Sequence, residues 1–191
     1  MQRLIFVIGG PGSGKTSQCI RLARHLGIQH LSAGALLRDA KDPRVADRLR
    51  DGCLIDSATT INLLQAALER TPSGWVLVDG FPRNLENLEA WHATPGVPQP
   101  ECILYLDCPC ATLQRRLLKR QDGRADDTPE TIQRRIRIFE HQTGAVLRYY
   151  GRRQLLRTVD AQKPMEAVSD TLQHVVKDIM DNSEREKCSL N

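Results

Sequence analysis

The sequence has few aromatic residues, little net charge and no long apolar run. Phe, Trp and Tyr make up 4% of its 191 residues, so Leu, Ile, Val and Ala must build the core. The formal net charge of +4 is small, whereas nucleic-acid binders usually carry a larger and clustered basic excess. No apolar stretch approaches the ~20 residues of a membrane span, and no signal-peptide pattern precedes the first apolar run. We therefore expect a single domain with no nucleic-acid partner and no membrane partner.

The cysteines lack the spacing of a zinc site or of a disulfide framework. There are six, at positions 19, 53, 102, 108, 110 and 188. Cys108 and Cys110 flank a proline without a second pair at zinc-site spacing, so we interpret them as structural. Scattered thiols are typical of a reducing compartment, and we expect a cytoplasmic protein.

Short apolar runs alternate with helical patterns along the chain. We predict strands over 3–8, 28–31, 75–79, 102–107 and 154–159. Helices are predicted over 15–26, 34–40, 44–50, 57–70, 84–92, 109–120, 128–149 and 164–181. Because near-continuous apolar strands are typical of parallel sheets covered on both faces, this alternation predicts an α/β fold with a doubly wound parallel sheet. Ligands of such sheets bind beyond the carboxyl ends of the strands.

A glycine-rich segment follows the first predicted strand and reads Gly9-Gly10-Pro11-Gly12-Ser13-Gly14-Lys15-Thr16. It matches the pattern G-x-x-x-x-G-K-[ST] between a strand and a helix, which is the setting that a phosphate loop requires. Glycines let backbone N–H groups curl around an anion, and the following helix directs its positive end to the same phosphates. Lys15 is expected to reach the β- and γ-phosphates of a nucleotide, and Thr16 to offer its hydroxyl to Mg²⁺.

A carboxylate and two arginines follow other strand ends. Asp79 ends the apolar run at 75–78, and beside a phosphate loop it is suited to organise Mg²⁺ and its waters. The alternative is that Asp79 caps the helix over 84–92. Arg38 and Arg83 also come after strand ends on the expected ligand side.

Further arginines lie in a helix–loop–helix region around a polar loop that could move. Arg120, Arg124 and Arg135 belong to this region, whereas we expect Arg115, Arg134 and Arg137 to face water. Guanidinium groups that converge near a Mg-nucleotide suit phosphoryl transfer between two phosphate-bearing substrates. Positioning and electrostatics supply most of the acceleration in that reaction.

With these motifs the chain resembles a nucleoside monophosphate kinase of the adenylate kinase family, in particular the UMP–CMP kinases. The resemblance covers residues 3–181. The matching segments are GGPGSGK, HLSAGALLRD, VDGFPRNLENLEAW, RLLKRQDGRADD, TIQRRI and VDAQKP. The resemblance implies a phosphate-loop, three-layer α/β/α fold with a five-stranded parallel sheet. It also implies one domain, 1–191, with a core (1–31, 62–119, 131–181), a short monophosphate-binding helical segment (32–61) and a short lid (120–130). The polar residues 182–191 are expected to fray.

The resemblance implies a role for each matching residue. ATP would be bound by Gly10, Gly12, Ser13, Gly14, Lys15, Thr16, Ser17, Arg120 and the backbone of Lys163. The acceptor nucleotide would be bound by Arg38, Cys53, Leu54, Ile55, Gly80, Arg83, Asn87, Arg124 and Arg135. Lys15, Arg83, Arg120, Arg124 and Arg135 would be catalytic, with Asp126 and Asp127 orienting the lid arginines. Mg²⁺ would be held by Thr16 and Asp79, mostly through water.

Asn87 separates two branches of the family. It stands four residues after Arg83, where adenylate kinases carry Gln and UMP–CMP kinases carry Asn, and Ala33 and Trp91 also match the pyrimidine branch. A carboxamide offers one acceptor and two donors, so by flipping it could meet either a cytosine or a uracil edge. The alternative is a residue on the helix surface.

Several positions depart from the family pattern. Thr16 follows Lys15 directly, Ala35 stands where relatives carry Asp or Glu, and Asp56 stands where they carry Pro. The stretch between Arg38 and Gly52 is shorter than usual, and the lid is also short.

The sequence therefore predicts a monomeric kinase that moves the γ-phosphoryl group of Mg-ATP to CMP or UMP, with dCMP as a further candidate. An adenylate kinase that uses AMP is one alternative. A nucleotide-binding protein with little catalysis is another, because Ala35 and the trimmed segments favour it.

Overall fold

The computed structural model of the chain describes residues 1–119 and 128–188. Its strands are β1 (Gln2–Gly9), β2 (Gln29–Ser32), β3 (Gly74–Asp79), β4 (Pro100–Asp107) and β5 (Leu156–Asp160). Its helices are α1 (Lys15–Leu26), α2 (Ala33–Asp39), α3 (Pro43–Arg50), α4 (Ser57–Glu69), α5 (Leu85–Ala93), α6 (Cys110–Leu118), α7 (Pro129–Arg152) and α8 (Met165–Cys188). Each predicted strand and helix is present, and the differences are confined to their ends.

The strands form one parallel sheet in the order β2-β3-β1-β4-β5. β1 is central, and it pairs with β3 from Gln2 opposite Gly74 to Val7 opposite Asp79. β2 lies on the far side of β3, with Ser32 opposite Asp79. This register brings the loop after β1, the end of β2 and Asp79 to one edge of the sheet. The prediction of an α/β fold with a five-stranded parallel sheet is confirmed.

Apolar side chains cover both faces of this sheet. On one face, Leu104 and Leu106 of β4 pack with residues of α1, α6, α7 and α8. On the other face, the ring of Phe6 lies 5.5 Å from that of Phe81 and 5.6 Å from that of Trp91, centroid to centroid. Three of the few aromatic side chains thus fill the space between β1 and α5. Among the described residues, none of the helices combines the length and the apolar character that crossing a membrane requires.

The end of α8 is tied to the sheet. The buried hydroxyl of Ser183 donates to Glu101 Oε2 at 3.1 Å, and Glu101 also accepts bonds of 2.5 and 2.7 Å from Arg3. Residues 182–188, part of the segment that we expected to fray, continue the helix beyond its predicted end at residue 181. The polar composition of these residues gave no indication of the contact between Ser183 and Glu101, which are distant in the chain. Residues 189–191 lie outside the described range.

The segment between β2 and α4 has a small core of its own, formed by Leu37, Val45 and Ile55. Asp56 begins α4 by accepting a bond of 2.8 Å from the backbone N–H of Thr59. Such a side-chain cap satisfies a backbone donor that the helix leaves unpaired. This cap gives Asp56 a physical role at a position where relatives carry Pro.

Replacing Leu104 by Ala is expected to lower the free energy of unfolding by about 2–5 kcal/mol, because the truncated side chain leaves a cavity. Leu104 is fully buried, whereas Ile20 is 48% exposed. The matched control Ile20→Ala should change that free energy by less than about 0.5 kcal/mol. Urea unfolding of both variants measures the difference, and equal losses would contradict the core assignment.

Candidate active site

The phosphate loop is shaped by glycines that packing requires. Gly12 and Gly14 have φ angles of 84° and 87°, in the left-handed region that other residues rarely adopt. A Cβ on Gly10 would collide with Leu113 of α6, and one on Gly12 would lie 2.9 Å from the Leu113 carbonyl oxygen. The loop therefore lies against α6 and leaves its backbone free to surround an anion in front of α1.

Lys15, the first residue of α1, lies half-buried above this loop. Its Nζ donates to the carbonyl oxygen of Gly10 at 3.2 Å. Burial lowers the pKa of Lys15 to about 8; the charge of Asp79 opposes this shift, and the charges of Arg83 and Arg135 add to it. Burial and neighbouring positive charge both disfavour the charged form of Lys15, and a bound polyphosphate would favour it.

Asp79 links the phosphate loop to the end of β3. Its Oδ2 accepts a 2.5 Å bond from Thr16 Oγ1 and lies 3.8 Å from His30 Nε2. Burial raises the pKa of Asp79, but the contact with His30, the charge of Lys15 and the bond from Thr16 outweigh burial and lower it. Asp79 does not cap α5, because Asn84 caps that helix. The carboxylate is thus ionised at the ligand edge of the sheet.

Two buried oxygens at this edge have no hydrogen-bond partner among the described residues: Asp79 Oδ1 and Ser13 Oγ. An unpaired buried carboxylate oxygen is costly unless a ligand or water completes its bonds. Asp79 and the Thr16 hydroxyl provide the hard oxygen donors that Mg²⁺ prefers. These residues therefore fit a hydrated Mg²⁺ ion that accompanies a nucleotide.

Positively charged side chains line one cleft beyond the strand ends. Lys15, Arg38, Arg83 and Arg135 all border it, together with Gly34 and Gly80. A Cβ on Gly80 would lie 3.8 Å from Lys15 Cε and 3.6 Å from Arg83 Nη2. A Cβ on Gly34 would lie 3.4 Å from Arg38 Nη1 and 3.7 Å from Arg83 Nη2. Both glycines thus border the space between these cationic side chains, and neither places a side chain in it.

The residues predicted to hold the acceptor base lie next to these arginines. Cys53 and Leu54 border the main cleft, and Leu54, Ile55 and Asn87 border a smaller adjoining cavity. Asn87 is 4% exposed, so the alternative of a residue on the helix surface is excluded. The carbonyl oxygen of Leu54 accepts bonds of 3.0 and 2.7 Å from Arg48, which hold this part of the segment in place.

Some predicted residues lie away from the cleft or outside the described ranges. Ser17 is exposed on α1, and Lys163 is exposed in the turn between β5 and α8. Arg38, in contrast, borders the cleft, although its side chain at the end of α2 is exposed to solvent. Arg120, Arg124, Asp126 and Asp127, with most of the predicted lid, fall between the described ranges, so their roles stay predictions.

The sequence did not point to a contact between α7 and the loop after α3. Thr131 Oγ1 donates to the carbonyl oxygen of Arg50 at 3.2 Å, and Arg134 Nη1 donates to that of Asp51 at 2.8 Å. A Cβ on Gly52 would lie 2.8 Å from Thr131 Cγ2. The side chain of Arg134 is exposed, as expected, but it also holds this loop. Every residue has a backbone carbonyl, so the residue types that accept these bonds form no recognisable pattern. No signal in the sequence could therefore have revealed this contact.

The fold and the site together define a phosphate-loop nucleotide-binding protein. The adenylate kinase family model matches residues 7–155. The chain is 38% identical to UMP-CMP kinase 3 of Arabidopsis thaliana over 178 residues, which cover 90% of this chain and 88% of that protein. It is also 38% identical to the UMP-CMP kinase of Xenopus laevis over 187 residues, covering 90% and 97% of the two chains. The chain therefore belongs to the adenylate kinase family, and the predicted resemblance is confirmed.

Lys15→Gln is expected to abolish ATP binding and yet raise the free energy of unfolding of the nucleotide-free protein at pH 7. Because the folded state lowers the pKa of Lys15 from 10.5 to about 8, the unfolded state binds more protons between these pH values. Wild-type stability should therefore rise relative to Lys15→Gln over this interval, by about 2 kcal/mol.

Urea unfolding from pH 7 to pH 10 in the presence of a chelator measures this difference, and isothermal titration measures ATP binding. Lys177→Gln, at an exposed position of α8, is the control and should match the wild type at each pH. A gap between Lys15→Gln and wild type that stays constant with pH would contradict the lowered pKa.

Proposed function

We propose that this chain transfers the γ-phosphoryl group of Mg-ATP to a pyrimidine nucleoside monophosphate, giving ADP and the corresponding diphosphate. CMP and UMP are the proposed acceptors, and dCMP is a further candidate. The observation that carries the proposal is the single cleft that Lys15 of the phosphate loop shares with Arg38, Arg83 and Arg135. One cleft with these cations can hold two phosphate-bearing ligands end to end.

The donor half of the reaction is assigned to the phosphate loop and the end of β3. Backbone N–H groups over 10–16 and the ammonium group of Lys15 would bind the ATP phosphates. Thr16 and Asp79 would hold Mg²⁺, mostly through water, and the ion would neutralise charge on the phosphate oxygens. The unpaired Asp79 Oδ1 supports this assignment.

The acceptor half is assigned to the arginines. Arg38, Arg83 and Arg135 would fix the acceptor phosphate through paired N–H donors, which match phosphate oxygens in geometry and charge. Arg83 Nε donates to the Gly80 carbonyl oxygen at 2.9 Å. This bond fixes the position of the guanidinium group. Arg120 and Arg124 would close over the transferring group from the lid.

The residues of the cleft fit a mechanism that rests on position and charge. An acceptor phosphate is already an anionic nucleophile, so the reaction needs no general base. Held cations stabilise the charge that spreads over the transferring group, without reorganising during the reaction. Alignment of the two substrates supplies a large further part of the acceleration.

A pyrimidine acceptor is favoured by Asn87, which lies buried beside the acceptor cavity, and by the relatives named UMP-CMP kinases.

We further propose that the enzyme is a cytoplasmic monomer in which residues 32–61 bind the monophosphate and 120–130 form the lid. The separate apolar cluster of Leu37, Val45 and Ile55 supports the first of these divisions.

Assaying CMP, UMP, dCMP and AMP side by side with Mg-ATP tests the proposed function. We expect a pyrimidine monophosphate to give the highest kcat/KM. AMP as the best acceptor would identify an adenylate kinase instead. Binding of ATP without ADP formation for any of the four acceptors would identify a nucleotide-binding protein with another role.

Arg83→Ala is expected to lower kcat/KM for the pyrimidine acceptors by about 100-fold or more, because it removes a positioned cation from the acceptor phosphate. Coupled ADP release measures the rate, and circular dichroism with urea unfolding checks that the fold is intact. Arg137→Ala, at an exposed position of α7, is the matched control and should keep wild-type rates. Near-normal turnover in Arg83→Ala would refute this assignment.

Arg134→Gln is expected to raise KM for the acceptor about fivefold while leaving KM for ATP unchanged, since one charged hydrogen bond to the Asp51 carbonyl oxygen is lost. The loop that this bond holds includes Cys53, which borders the cleft. Steady-state kinetics with each substrate varied in turn measure the effect, again with Arg137→Ala as the control. An equal rise in both KM values would contradict a local effect on the acceptor loop.

A further inference from the structure

The carboxamide of Asn87 is bound on both sides within the protein. Its Oδ1 accepts a bond of 3.2 Å from the backbone N–H of Arg83, and its Nδ2 donates to Ser57 Oγ at 2.9 Å. Ser57 Oγ in turn donates to Glu86 Oε1 at 2.9 Å. Asn87 and Ser57 are 4% and 5% exposed, so bulk water does not compete strongly for these bonds.

The chemistry of the partners fixes which way the carboxamide points. The backbone N–H of Arg83 can only donate, so it requires the Asn87 oxygen. A carboxylate oxygen of Glu86 only accepts, so the single hydroxyl hydrogen of Ser57 is directed to Glu86, and Ser57 can only accept from Asn87. Ser57 therefore requires the Asn87 NH₂ group. Flipping the carboxamide would break both bonds and leave buried groups unpaired.

A fixed carboxamide cannot serve cytosine and uracil equally. After its internal bonds, Asn87 retains one N–H donor and one oxygen lone pair beside the acceptor cavity. Cytosine presents an acceptor at N3 next to the amino donor at C4, whereas uracil presents a donor at N3 next to an acceptor oxygen at C4. The two edges have opposite polarity, and a site built for one leaves a polar group unpaired with the other.

We propose that Ser57 is a positioning residue that acts with Glu86 to hold the Asn87 carboxamide in one orientation, and that this makes the acceptor site discriminate between cytosine and uracil monophosphates. This inference rests on the proposed function, and it replaces the prediction from sequence that Asn87 serves both bases by flipping. Ser57 and Glu86 act through Asn87 and do not themselves contact the base.

The test compares kcat/KM for CMP and for UMP in wild type, Ser57→Ala and Glu86→Ala. We expect the two wild-type values to differ by about fivefold or more, the factor that one hydrogen bond typically gives. Ser57→Ala removes the partner of the Asn87 NH₂ group, and Glu86→Ala removes the acceptor that directs the Ser57 hydroxyl, so Ser57 can donate to Asn87 instead. In both variants the ratio should move towards one. Glu86 is exposed, so its substitution keeps the fold if Ser57→Ala does not.

Thr71→Ala is the matched control, because it deletes another hydroxyl bond just beyond the far end of α4, to the Ala67 carbonyl oxygen at 2.8 Å. It should keep the wild-type ratio. Equal CMP and UMP values in wild type, or variants that lower both values without changing their ratio, would overturn the inference while leaving a pyrimidine kinase in place. Absence of turnover with both acceptors in wild type would instead refute the proposed function.

Discussion

The site depends on one buried carboxylate among several cations. Asp79 accepts a hydrogen bond from the hydroxyl of Thr16, faces His30 and opposes the positive charge of Lys15, which Arg83 and Arg135 also approach. Its charge opposes the lowering of the Lys15 pKa that burial causes. Burial, with a smaller contribution from the charges of Arg83 and Arg135, still lowers the pKa of Lys15. The site is therefore complementary to ligands that bring further negative charge, and it combines attraction to phosphate with a stability cost.

Residues 32–61, which we propose to bind the acceptor, form a short segment. Hydrogen bonds and a small apolar cluster hold it in shape. Asp56 caps α4, Arg48 holds the Leu54 carbonyl oxygen, and an apolar cluster closes around Val45. α7 then contacts the loop after α3 through two backbone carbonyls. These bonds restrict the part of the chain that borders the acceptor cavity, and they join it to the helix that carries Arg135. Helix α7 thus joins two groups of residues that we assign to the acceptor, the loop after α3 and Arg135.

Sequence patterns predicted the sheet and the phosphate loop because both depend on local features. The apolar run at 75–78 favoured a covered strand, and the conformation of the glycine loop depends on its own residues, such as Gly12 and Gly14. Asn87 lies buried beside the cavity that we propose for the acceptor base, but the sequence did not show the hydrogen bonds that restrict flipping of its carboxamide. One of these bonds joins Asn87 to Ser57, thirty positions away along the chain, and such a pairing exists only after α4 and α5 pack together.

The amino-acid sequence by itself determined the α/β architecture, the phosphate loop and the family, because these follow from periodicity and from short motifs with fixed spacing. Tertiary structure alone decided which polar groups are paired. It directed Ser57 to Glu86, tied Ser183 to Glu101 and left Asp79 Oδ1 without a partner among the described residues. The physical reason is that a hydrogen bond depends on distances of a few tenths of an ångström, and these are set by packing between segments distant in sequence.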